Sequence, residues 1–267
     1  MNLYLRELNA GKKSMLIWTA CIVGMLFLSM AMFPSFSGGQ TGMDVNELMQ
    51  QFPEDMLKAF NIQALNFADP MDYYTYVYQY AMLAAGIWGM LLGASILAKE
   101  EGEKTIEFLY SKPVTRGYIF GWKVAAVLTQ LIIFFGLLFG GSILGFAAFA
   151  EGNYDAGSLA LLALAVILVQ TVFASLGFLF GSLVVKTRKI LPLSLGVSLG
   201  LYMVSVISSI KDDIEWLRYL TPFQYFPGIR VIREGQLEWG YVILSLGIIL
   251  VSLTAAWLVY RRKNILT

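Results

Sequence analysis

The chain has 267 residues, of which 58% are hydrophobic and only 14% charged, with a formal net charge of +1 and no histidine. Soluble domains carry about 25% charged residues, so this composition excludes a water-soluble globular protein and points to lipid. The near-zero net charge says little about partners and gives no reason to expect nucleic acid.

Six long apolar stretches follow one another over residues 15–33, 74–97, 118–150, 159–185, 190–210 and 241–260. Each supplies about 20 residues or more at a rise of about 1.5 Å, enough to cross a hydrocarbon layer of about 30 Å. Only helices and closed barrels satisfy their backbone hydrogen bonds there, and runs that are continuously apolar rather than alternating are helices. The expected fold is an all-α polytopic membrane protein with six transmembrane helices. Residues 1–13 form a separate short amphipathic helix in the cytoplasmic interface ahead of a membrane domain over 14–267; the alternative is an extension of the first span. The first 33 residues resemble a secretory signal in outline, but their apolar run is longer than the usual 7–15 residues, so a retained first span is expected. Cys21 lies alone inside that span, where it reads as a small packing residue rather than a reactive thiol.

Residues 34–73 make the largest outside loop. Within it residues 46–60 carry Leu48, Phe52, Met56, Leu57 and Phe60 at helical spacing, and Pro53 is placed to split that helix. The loop reads either as a lid packed on the span ends or as a substrate gate.

The second and third spans are joined by a hinge at 99–116. Ile106, Leu109 and Tyr110 fall on one face of a short helix, Glu100, Glu101 and Glu103 favour its positive end, and Pro113 stops it. A short amphipathic helix with no soluble domain of its own is a docking element, or a helix lying flat on the membrane. Arg116 and Lys123 are expected to anchor the start of span three near lipid headgroups. Gln130 and Gln170 are the most polar deep groups of spans three and four, suited to an interhelical hydrogen bond or to a cargo contact. Glycines recur at spacing four at 89/93, 136/140, 141/145, 177/181 and 196/200 and permit close helix approach. The remaining outside segment, 211–239, is too apolar for a free loop. Trp216, Pro222, Phe223, Tyr225 and Phe226 place it in the outer interface as a re-entrant piece that either lines the exit of a pathway, as an extracellular gate, or seals the bundle.

Basic residues set the threading. Arg6, Lys12, Lys13, Lys99, Lys104, Lys112, Arg116, Lys123, Lys186, Arg188, Lys189, Arg261, Arg262 and Lys263 fall on one side of the membrane. Only Lys58, Lys211, Arg218, Arg230 and Arg233 fall on the other. The positive-inside tendency therefore places both termini in the cytoplasm, most simply of a bacterial plasma membrane. No charged side chain is expected deep in a span, which with the lack of histidine argues against a proton-coupled pump.

The hinge resembles the coupling region of ABC-2-type transporter permeases. Glu100, Glu101, Thr105, Glu107, Leu109, Pro113, Val114, Thr115 and Arg116 match its pattern, while Lys104 stands where many members have glycine. Leu220-Thr221-Pro222-Phe223 followed by Tyr225 and Phe226 resembles the family's segment before its last span. The resemblance covers nearly the whole chain and implies the ABC-2 (type V exporter) permease fold with a cytoplasmic coupling helix. It also implies pairing with a second permease copy or paralogue and with two cytoplasmic ABC ATPase subunits, into whose clefts the hinge would fit. Export of an amphipathic peptide, bacteriocin, drug or lipid-like substrate is the implied activity. The chain has no Walker A loop. Its nearest string, residues 181–187, lacks the glycine before lysine, so ATP and Mg would be bound by the partner and no cofactor by this chain. The readings outside transport are a membrane sensor or assembly subunit coupled to an ATPase without cargo flux, and an intramembrane enzyme.

Overall fold

The computed structural model describes residues 3–36, 49, 51–102, 115–152, 154–184, 187–210 and 212–262, without the side chains of 36, 100–102, 212, 213 and 215. Among these residues eight α-helices follow in order: α1 (Leu3–Phe36), α2 (Glu54–Ala59), α3 (Pro70–Gly102), α4 (Arg116–Phe149), α5 (Ala156–Leu183), α6 (Ile190–Ile210), α7 (Gly228–Glu234) and α8 (Trp239–Arg262). Six of them, α1, α3, α4, α5, α6 and α8, are long and apolar enough to cross a membrane. The protein is an all-α polytopic membrane protein.

Residues 3–13 continue α1 without a break instead of forming a helix of their own. The reason is local: nothing between Leu3 and Phe33 interrupts the helix, and Glu7 near its start is buried in the bundle while Asn9, Lys12 and Lys13 stay exposed. At 34 residues, α1 and α4 are each about 51 Å long, well beyond a hydrocarbon layer of about 30 Å, so both project past it. Cys21 is exposed on the outer face of α1 and does not pack in the core as expected.

At the centre lie α3 and α5, the most buried of the six long helices, while α6 and α8 are the least buried. Small residues explain this pairing. A Cβ added to Gly93 would collide with the Ala174 carbonyl oxygen, and one added to Gly177 with that of Met90. Gly89 and Gly181 meet the Gln170 and Ala94 carbonyls in the same way. Gly141 and Gly145 receive Val23 and Met30 of α1, whereas Gly136, Gly140, Gly196 and Gly200 meet nothing within 4 Å. Around this core, α1 packs along α4 and against α3, α6 lies on α3, and α8 lies on α5.

The α4–α5 connection is tight. Gly152, at φ +74°, turns its amide back to the Phe146 carbonyl, and Asp155 caps α5 by accepting from the Ser158 and Gly157 amides at 2.7 and 3.2 Å. In the outside loop, Pro53 stands immediately before α2, so the proline does interrupt the helical pattern there.

Candidate functional site

Two polar regions stand out, one at each end of the bundle. The first lies at the end that carries both termini. There Glu7 of α1, 1% exposed, meets Lys99 near the end of α3 and Lys123 near the start of α4. The Lys99 ammonium donates to Glu7 Oε2, Lys123 Nζ lies 3.8 Å from Oε1, and Arg6 Nη2 donates to Oε1 at 3.2 Å. Lys123 is fully buried and also donates to the Ile96 carbonyl of α3. Burial of charge is costly unless each ion is paired and hydrogen-bonded, and here one carboxylate serves cations from three helices. Tyr4 adds a hydrogen bond to Thr129 Oγ1 at 2.9 Å and a ring contact with Trp122 at 5.6 Å. Arg116, at the start of α4, donates to the Arg261 carbonyl at 2.8 Å and so ties α4 to the end of α8.

This corrects the expectation for Lys123. It is not a headgroup anchor: it lies about two turns inside α4, on the side facing α1 and α3, and its charge is met within the protein. Glu7 and Lys99 were not read as a site in the sequence. The available signal was Glu7, an acid in an otherwise basic amino-terminal segment, and Lys123, a lysine inside an apolar run.

The cluster closes the polar end of a cleft of about 400 Å³ between α1, α3 and α4. Gly11 makes room in it, since a Cβ there would strike the amide of Gln130. Gln130 is buried and lines the cleft, but among the described residues its Oε1 has no hydrogen-bond partner and its Nε2 reaches only the Ala126 carbonyl of its own helix, at 3.5 Å. Gln170 is fully buried against Gly89, with neither amide atom partnered among the described residues. Neither glutamine therefore makes the interhelical hydrogen bond considered for it, and the structure does not bring the two into one site.

The second polar region is at the opposite end. Pro222, Phe223, Tyr225 and Phe226 fold back into the bundle and are buried, whereas Trp216 is 64% exposed and stands apart from them. Phe223 lies beside Gly86 in the middle of α3, with ring contacts of 4.7 Å to Phe173 and 5.8 Å to Tyr202. Its neighbours satisfy the polar groups that this descent brings inside. Thr221 Oγ1 donates to the Leu201 carbonyl at 2.9 Å, and Gln224 Nε2 to Ser209 Oγ at 2.6 Å and the Ser205 carbonyl at 3.1 Å. The Tyr225 hydroxyl donates to the Tyr219 carbonyl at 2.6 Å, and its ring stacks on Tyr241 at 5.1 Å. Arg233 of α7 pairs with Asp72 at the start of α3 at 3.2 Å, which locks the returning chain to the bundle. Gln224 is the residue here that sequence reasoning passed over.

Of the hinge residues, Thr105, Ile106, Glu107, Leu109, Tyr110 and Pro113 lie outside the described residues, as do the side chains of Glu100 and Glu101. The two arms that carry this segment, the end of α3 and the start of α4, are the very parts joined through Glu7, Lys99 and Lys123.

A family model described as ABC-2 family transporter protein matches residues 1–265. The chain belongs to that family. A search of curated proteins returns no match. In this ABC-2 family protein the match extends over both polar regions and all six spans.

Proposed function

We propose that this chain is the permease subunit of an ATP-driven exporter that moves an amphipathic substrate (peptide, drug or lipid-like) out of the cytoplasm of a bacterium. It works with a second permease copy or paralogue and with two cytoplasmic ABC ATPase subunits that bind ATP and Mg. The observation that carries this reading, beside family membership, is the ion-paired cluster of Glu7, Lys99 and Lys123 at the root of the hinge. A push on the 99–116 segment reaches α3 and α4 through their joined ends and reaches α1 through Glu7. The tight α3–α5 seam then passes the displacement to the rest of the bundle as a rigid movement. The buried Phe223 segment sits where such a movement would loosen or tighten the far end, which gives it the part of an extracellular gate.

The test is affinity purification of the subunit in nanodiscs, identification of what co-purifies, and an ATPase assay with candidate peptides and lipids. A 2:2 assembly with a Walker-bearing subunit and cargo-stimulated hydrolysis is expected. Purification of the chain alone, or hydrolysis with signalling and no flux of any cargo, would overturn the exporter reading in favour of a sensor.

A further inference from the structure

The geometry points to a glycerophospholipid-binding site in the cleft between α1, α3 and α4, with the phosphate at Lys99, the rest of the head group at Gln130 and an acyl chain running between α1 and α3. Three observations carry it. The first is the gradient of the lining. Glu7, Ser14 and Trp18 share one face of α1, and Lys99, Ser95 and Leu91 share one face of α3, so the cleft is charged at one end and apolar at the other. The second is its reach: from Glu7 to Trp18 the cleft runs about 16 Å along α1, from the polar start of the helix into the apolar run that begins at residue 15.

The third is an unmet hydrogen-bonding capacity that suits a phospholipid head. Gln130 is 1% exposed and lines the cleft with an acceptor oxygen that has no partner among the described residues. A buried acceptor left in this state costs stability, and a ligand donor relieves that cost. Lys99 carries three ammonium hydrogens, donates to Glu7, and keeps 26% of its side chain exposed. A phosphodiester accepts from Lys99, while a head-group hydroxyl or ammonium donates to Gln130 Oε1. Phosphatidylglycerol and phosphatidylethanolamine both have this pairing of acceptor and donor. The apolar half of the cleft, at Trp18 and Leu91, leaves a soluble phosphate compound without a match. The site stands apart from the exporter reading, because it needs no ATPase and holds for a resident lipid as for a transported one.

The experiment is native mass spectrometry of the purified, delipidated full chain with added phosphatidylglycerol or phosphatidylethanolamine, with glycerol 3-phosphate as the soluble arm. One lipid retained per chain is expected, with no retention of glycerol 3-phosphate. Gln130→Leu should weaken retention about fivefold, the worth of one ordinary hydrogen bond. Ser14 is exposed at the cleft, so Ser14→Trp fills it without disturbing the core and should weaken retention by more than about tenfold through steric exclusion. Leu16→Trp, on the 57% exposed outer side of α1, should retain lipid like the parent. Equal retention by the parent, Ser14→Trp and Gln130→Leu would overturn the site, and tight binding of glycerol 3-phosphate would overturn the lipid.

Discussion

Removing the Glu7 carboxylate tests the charge cluster most directly. Glu7→Gln keeps the shape but takes away the negative charge facing Lys99 and the fully buried Lys123. Breaking a buried ion pair from one side typically costs about 3–5 kcal/mol, so the variant should melt well below the parent in a fluorescence-detected size-exclusion assay. Glu7→Gln combined with Lys123→Met should recover much of the loss, because an apolar side chain of similar length needs no counter-charge. A single variant as stable as the parent would mean that the cluster contributes little. At this scale the sequence was a partial guide. It named Arg116 and Phe223 but could not pair them, since partners such as Arg116 with the Arg261 carbonyl lie 145 residues apart. Lys123 was misplaced for the same reason: a lysine near a span end looks alike whether it faces headgroups or a carboxylate on another helix.

Between elements, the deciding contacts are backbone to backbone. Gly93→Ala should destabilise by about 1–3 kcal/mol, the usual range for overpacking a close interface, because its new methyl group meets the Ala174 carbonyl rather than a side chain that can move aside. Gly196→Ala, whose Cβ meets nothing within 4 Å, should be neutral or stabilising by about 0.5–1 kcal/mol through helix propensity. Comparing the two melting temperatures in one detergent checks the assignment of the α3–α5 seam. The five small-residue pairs looked equivalent in the sequence; spacing shows which glycines share a helix face but not which helix that face meets. The returning segment behaves similarly. Phe223→Ala should cost about 3–5 kcal/mol, as for other buried phenylalanines, and should make the 212–220 stretch more sensitive to an external protease.

For the whole molecule, the proposed coupling and threading are both open to experiment. Replacing Ile106 and Leu109 together with Asp takes away two of the three residues, with Tyr110, on the apolar face that the sequence predicts for the hinge. Expression should stay near the parent level while cargo-stimulated ATP hydrolysis falls at least about tenfold, in line with the loss of a central interface anchor. A green fluorescent protein fused after Thr267 should fluoresce, and alkaline phosphatase at the same position should be inactive, if the termini are cytoplasmic. The reverse pair of results would invert the bundle.

The number of spans, their helical state and the family were legible in the chain itself. Hydrocarbon imposes so strict a backbone requirement that length and apolarity nearly suffice, and the hinge motif is local. The arrangement of those spans was not legible, because every face of an apolar helix looks alike to a lipid. Only the tertiary structure decided that α3 and α5 form the core, that residues 3–13 belong to α1, and that Glu7 gathers Lys99 and Lys123 beside an open cleft. Those outcomes depend on close approach and charge pairing between residues far apart in sequence, whose energies exist only once the helices meet.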